Sequence, residues 1–261
     1  MSLETAISRL GYRPDPFPPG HVWLAGAGPG DPGCLTLHVL AALSQADCVV
    51  HDALVSEAVL AAAPQAEIIF AGKRGGKPSI GQDDISRRLV ELARQGKRVL
   101  RLKGGDPFIF GRGGEEALAL VEAGIPFRIL PGLTSAFAAL ASARIPATMR
   151  GTNKAIVLAT GHAAGTDEDL DWAALARTGQ PIVVYMGLRN LPIIADALLA
   201  GGLSADTPAA VIEHATTPQE TVLVAPLGRL ASAAAEAGVG APALIVIGDV
   251  VALRSILSGQ P

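Results

Sequence analysis

From Val22 onward, short apolar runs alternate with longer amphipathic stretches, and this alternation constrains the fold more than any other feature of the chain. Strands that recur singly between helices pair in parallel, and a parallel sheet needs helices over both faces. The spacing predicts strands near Val22–Ala25, Cys48–His51, Glu67–Ala71, Arg98–Leu102 and Phe127–Leu130. Helical patterns lie between them at Leu35–Gln45, Glu57–Ala63, Asp83–Gln95 and Gly114–Ala123, and the last strand ends at Pro131-Gly132. A second set follows Arg150, with strands at Ala155–Ala159, Pro181–Tyr185, Ala209–Ile212 and Ala243–Ile247 and helices at Leu191–Ala200 and Leu230–Ala237.

The expected architecture is therefore α/β with two α/β domains, the first built on a mostly parallel sheet and the second on a mixed one. They join near Pro131 to Ala147, which gives a leader at 1–20, an N-terminal domain at 21–132 and a C-terminal domain at 133–261. A cleft between two such domains is the default place for a ligand. The 261 residues and a hydrophobic content of 49% suffice to fill both cores. The leader is proline-rich from Pro14 to Pro19, carries no signal-peptide apolar region and is expected to be mobile. No stretch is long and uncharged enough to span a bilayer, and Cys34 and Cys48 lack CxxC spacing. A cytoplasmic protein without disulfide, zinc site, membrane or nucleic-acid partner is the expectation.

Charge is distributed unevenly. From Lys73 to Lys154 there are 15 basic against 7 acidic residues, a balance of +8, while the remainder holds 6 against 17, a balance of −11, for the net −3 of the whole chain. Arg87, Arg88, Arg94, Lys97 and Arg98 fit the solvent face of one helix. Lys73, Arg74, Arg101, Lys103, Arg112 and Arg150 fall beside glycines or at element ends, where side chains can converge on a bound anion.

Two glycine-rich segments follow predicted strands. Gly26-Ala27-Gly28-Pro29-Gly30-Asp31 lets backbone approach a ligand without Cβ interference. Its continuation to Gly33 formally satisfies G-x-G-x-x-G, yet Pro29 and Pro32 remove amides a pyrophosphate would need. The second segment runs from Arg101 to Glu116 and contains Gly104-Gly105-Asp106-Pro107-Phe108-Ile109. An acidic residue inside the loop disfavours phosphate, whereas glycines beside an apolar wall suit an adenosine carrying an amino-acid tail.

On these residues the chain resembles the tetrapyrrole methylases, most closely those that act on uroporphyrinogen III. The resemblance runs from Val22 to about Leu257. It includes His51-Asp52, Leu54-Val55, Gly72-Lys73-Arg74, Pro131-Gly132, Thr134-Ser135, Ile145-Pro146, Thr160-Gly161-His162, Tyr185-Met186-Gly187-Leu188, Ala215-Thr216 and Pro242–Gly248. It implies S-adenosylmethionine as methyl donor, with S-adenosylhomocysteine as product. Pro29, Gly104, Gly105, Asp106, Ile109, Thr134, Ser135, Met186 and Ala215 are implied as its contacts. It further implies Asp52 as proton acceptor and Lys73 as proton donor in methylating pyrrole carbons at C2 and C7, and a homodimer.

A carboxylate-rich macrocycle gives the cationic band a counterpart, and Arg74, Arg112 and Arg150 are the candidate clamps, since guanidinium groups bind carboxylates in paired hydrogen bonds. Asp52 also reads as a helix N-cap ahead of Leu54–Ala63. The chain departs from the family at Lys77-Pro78, at Met149 and at His51, where tyrosine is common. A methylase of a later precorrin, a nicotinamide oxidoreductase and a silent cofactor-binding module are the alternatives.

Overall fold

The computed structural model describes residues 3–72, 81–166 and 169–259. Contacts divide the chain into two units, Met1–Gly28 with Pro32–Leu133, and Pro29–Asp31 with Thr134–Pro261.

The first unit contains α1 (Leu3–Arg9), β1 (Val22–Gly26), α2 (Leu37–Gln45), β2 (Cys48–His51), α3 (Glu57–Leu60), β3 (Glu67–Phe70), α4 (Gln82–Arg94), β4 (Val99–Lys103), α5 (Gly113–Glu122) and β5 (Phe127–Leu130). Its strands form one sheet in the order β3-β2-β4-β1-β5, and every pair is parallel. Side chains alternate across it as the period of two requires. Trp23, Ala25, Val49, Leu100 and Leu102 pack with α2 and α3 on one face, while Val22, Leu24, Val50 and Val99 pack with α4 and α5 on the other. This alternation places Arg101 and Lys103 on the α4/α5 face of the strand at the middle of the sheet, where both are buried. Two cations on such a strand demand a buried anion.

The leader, expected to be mobile, is fastened at its proline-rich end. Phe17 is buried and stacks on Trp23 with ring centroids 4.0 Å apart. Its N–H donates to Gln45 Oε1 at 3.0 Å, and its carbonyl accepts from Arg98 Nε at 2.9 Å. Arg98 therefore leaves the solvent-facing group assigned to it and also pairs with Asp47 at 3.3 Å.

The second unit contains α6 (Ser135–Ser142), β6 (Val157–Thr160), α7 (Trp172–Arg177), β7 (Ile182–Tyr185), α8 (Leu191–Ala200), β8 (Pro208–Glu213), β9 (Thr221–Pro226), α9 (Leu227–Glu236), β10 (Ala243–Ile247) and α10 (Leu253–Ser258). The sheet order is β6-β7-β10-β8-β9, with β6 and β7 parallel and the other neighbours antiparallel, so the sheet is mixed as expected. The sequence reading missed β9, an edge strand whose half-exposed residues end at a proline and so resemble a turn. It also read α6 as linker; the alanine-rich run that follows Thr134 carries the helix. Among the described residues no helix is long and apolar enough to cross a membrane.

Candidate functional site

At the carboxyl ends of β1, β4 and β5, three backbone segments touch. Gly28 and Gly105 exchange N–H···O bonds of 3.1 and 2.7 Å, and the Ala27 N–H donates to the Lys103 carbonyl at 2.7 Å. A Cβ on Gly132 would lie 2.2 Å from the Gly105 carbonyl oxygen and 2.7 Å from Gly26 Cα, and one on Gly26 would lie 2.5 Å from that same oxygen. Glycine is required at Gly26 and Gly132 because chain packs on chain, before any ligand is considered. Gly132→Ala meets only backbone, which cannot swing aside, so it should cost at least about 1–3 kcal/mol. Thermal unfolding checks this, and an unchanged midpoint would contradict the geometry.

Asp52 follows β2 and is partly buried. Its Oδ1 accepts from the Leu54 N–H at 3.0 Å and its Oδ2 from the Gly104 N–H at 3.3 Å. It does not cap a helix, because α3 begins only at Glu57 with Ser56 at the cap position. The carboxylate instead closes a short turn and joins the β2 loop to the β4 loop. The buried His51 ring hydrogen-bonds the Asp52 carbonyl through Nδ1 at 2.9 Å. Because a carbonyl can only accept, that nitrogen carries the proton. Asp106 is spent on its own surroundings: Oδ1 accepts from Phe108 N–H at 2.8 Å and Oδ2 from Gly132 N–H at 3.0 Å. Ile109 is half-buried in the same loop. Lys73, Arg74, Lys77 and Pro78 lie outside the described residues.

The cations of β4 do not converge on an external anion as the charge pattern suggested. Glu116 of α5, fully buried, takes Arg101 Nε at 3.1 Å, Lys103 Nζ at 3.0 Å and Gln82 Nε2 at 3.0 Å, all on Oε1. Its Oε2 has no hydrogen-bond partner among the described residues. Burial pushes the Lys103 ammonium below its ordinary range and neighbouring Arg101 adds to this, while Glu116 opposes both. Sequence reasoning assigned Glu116 no role, although two cations at alternate positions of a buried strand were the signal for it. Arg112 has φ +59°, and its guanidinium forks onto Glu115 with bonds of 2.9 and 2.6 Å. That bond holds the Glu115 carboxyl below the usual carboxylate range. Arg150 is exposed.

In the second unit Thr134, at the N-cap of α6, is buried, and its Oγ1 lies 2.6 Å from the Tyr185 hydroxyl. The same hydroxyl accepts from the Ala136 N–H at 3.1 Å. Tyr185 thus ties the end of β7 to the start of α6, which carries Ser135, and it was another residue given no role from sequence. Met186, next in the chain, is 54% exposed with φ +52°, so it is not a core methionine filling a gap. Pro29, Gly30 and Asp31 cluster with this unit. The Asp31 N–H donates to Thr216 Oγ1 at 3.4 Å, beside Ala215, and the Thr216 N–H donates to Glu220 Oε2 at 2.6 Å. The implied cofactor contacts are divided between the units: Gly104, Gly105, Asp106 and Ile109 lie in the first, with Asp52 bonded to Gly104, and Pro29, Thr134, Ser135, Met186 and Ala215 lie in the second.

The G-x-G-x-x-G reading is not supported by the geometry. The Gly28 N–H is taken by Gly105, Pro32–Cys34 form a 3₁₀ turn, and α2 starts only at Leu37. A dinucleotide fingerprint needs the glycine turn to open the helix directly.

Residues 21–231 match the family model for the tetrapyrrole (corrin/porphyrin) methylases. A uroporphyrinogen-III C-methyltransferase of Sinorhizobium sp. is 55% identical over 241 residues, 91% of this chain and 86% of that protein. A siroheme synthase of Thiobacillus denitrificans is 47% identical over 92% of this chain, which spans only 50% of the synthase. The crystal structure of uroporphyrin-III C-methyltransferase from Thermus thermophilus complexed with S-adenyl homocysteine superposes with a TM-score of 0.76 at 39% identity, covering 89% of this chain and 99% of that one. A two-sheet α/β fold, a family match over most of the length and identity of this order agree on one assignment: the chain belongs to the tetrapyrrole methylases.

Proposed function

We propose that the protein transfers methyl groups from S-adenosylmethionine to C2 and C7 of uroporphyrinogen III, passing through precorrin-1 to precorrin-2 for cobalamin or sirohaem synthesis. The observation that carries this reading is the Asp52 carboxylate, held by the Gly104 amide on the very loop that the family resemblance assigns to the methyl donor. Identity of 55% to a protein of that name over 91% of the chain supports it.

The residues fit such a donor. Glycines at 104 and 105, the half-buried Ile109 and the exposed Met186 suit an adenosine with a polar tail. When bound, S-adenosylmethionine supplies a methyl group on a sulfonium. In this reading the polar side chains of Thr134 and Ser135 and the backbone around Gly104–Asp106 orient the donor. A pyrrole carbon that gains a methyl is left with positive charge on the macrocycle. C2 and C7 carry no hydrogen, so the proton lost in exchange for each methyl comes from a pyrrole nitrogen or a bridging carbon; Asp52 stabilises the charge and takes that proton. Lys73 is the proton donor of the same scheme: a proton it adds at one macrocycle atom is matched by another lost elsewhere on the ring, so the net exchange stays one proton out for each methyl in. Arg74 and Arg150 hold carboxylates of the substrate, and Arg112 does so when its exposed fork to Glu115 exchanges, a pair worth little in water. A cytoplasmic homodimer acting without nucleic acid completes the proposal.

The test is anaerobic incubation of purified protein with uroporphyrinogen III and methyl-labelled S-adenosylmethionine, followed by mass analysis of the oxidised product. Two added methyl groups are expected. Cofactor binding without transfer would overturn the substrate assignment and direct the search to later precorrins.

A further inference from the structure

Lys103 is a pivot. Its carbonyl accepts from the Ala27 N–H at 2.7 Å, its ammonium reaches Glu116 at 3.0 Å, and the next residue, Gly104, supplies the amide that holds Asp52 at 3.3 Å. The loop folds back over this side chain: a Cβ built on Gly111 would lie 3.3 Å from Lys103 Cε and 3.2 Å from the Asp106 carbonyl oxygen. Arg101 is tied in by the same carboxylate and also donates to the Val50 and Leu102 carbonyls at 3.3 Å each. Val50 lies on β2, two residues ahead of Asp52. Arg101 and Lys103 bring two positive charges, and Glu116 and Asp52 bring two negative ones, with Asp52 acting on Lys103 through space. A single oxygen that takes three donors at 3.0–3.1 Å fixes its partners in direction as well as charge.

We propose that Glu116, acting through Arg101 and Lys103, is a positioning residue that sets the Gly104–Asp106 loop and the Asp52 carboxylate attached to it. The inference rests on the reading of Asp52 and that loop given under the proposed function. Glu116 touches no substrate. It fixes from below where the proton acceptor and the cofactor loop stand, so its loss should lower turnover even in molecules that remain folded.

The experiment compares the parent with Glu116→Gln and the double variant Lys103→Met/Glu116→Gln, reading S-adenosylhomocysteine affinity by calorimetry, Tm, and kcat normalised to the folded fraction. Lys103→Met removes one of the two buried cations that Glu116→Gln leaves without a carboxylate, so less unpaired charge stays buried, although Arg101 keeps its own. The double variant should therefore regain Tm relative to Glu116→Gln, while its kcat stays about 10- to 100-fold below the parent, the scale on which a displacement of about 1 Å costs rate. Parental kcat per folded molecule in both variants overturns the inference, including the case in which a variant merely unfolds in part. A parent that neither binds the cofactor nor transfers methyl overturns the functional reading, and this inference with it. An active parent with unaffected variants overturns this inference alone.

Discussion

Replacing Asp52 by asparagine is expected to lower methyl transfer by about 10²–10⁴-fold, the range for removing a positioned general base. The fold should survive. Asparagine keeps the shape, and its oxygen can still accept from the Leu54 N–H, as Asp52 Oδ1 does at 3.0 Å. What it cannot do is take a proton or balance positive charge on the macrocycle, and its amide nitrogen cannot accept from the Gly104 N–H. Steady-state kinetics with S-adenosylhomocysteine binding measured in parallel would separate these effects: kcat collapses while cofactor affinity changes little. A kcat within tenfold of the parent would remove Asp52 from the chemistry.

Glu116→Ala should be the most destabilising single substitution proposed for this chain, at about 3–5 kcal/mol, the usual cost of removing one partner from a buried ionic group. Arg101 and Lys103 are 3% and 5% exposed at their side chains and Glu116 is 0% exposed, so solvent cannot take over the role of the missing carboxylate. Domains are typically stable by about 5–15 kcal/mol, so the loss would be a large share of the total. Urea unfolding followed by circular dichroism reads it. A change under about 1 kcal/mol would mean that water enters and screens the cations, as it does at surface pairs.

Much of the fold was legible because its signals are local. The runs at Cys48–His51, Phe127–Leu130 and Ala243–Ile247 become strands with the bounds their apolar patterns gave, and Leu191–Ala200 becomes a helix in the same way. Where the pattern was weak, the reading failed. β9 sits at an edge, half exposed, so burial stamped no strong alternation on it. α6 is short and small-residued, and the glycine and proline before it read as linker.

The candidate site was legible in its parts and not in its wiring. The sequence alone determined that glycines crowd the ends of β1 and β4, that Arg101 and Lys103 stand on β4, that an aspartate follows β2, and that the family resemblance gathers them into one chemistry. Only the tertiary structure decided how each is used. Asp52 meets Gly104 across 52 positions of chain, Arg101 and Lys103 meet Glu116 across 15 and 13, and Thr134 meets Tyr185 across 51. Hydrophobic periodicity records which face of an element is buried, but not which buried polar group will find which partner. That is settled when the sheet closes and each charge removed from water must be matched by another. Arg101 and Lys103, which on charge alone belonged with an external anion, are for this reason spent inside the protein.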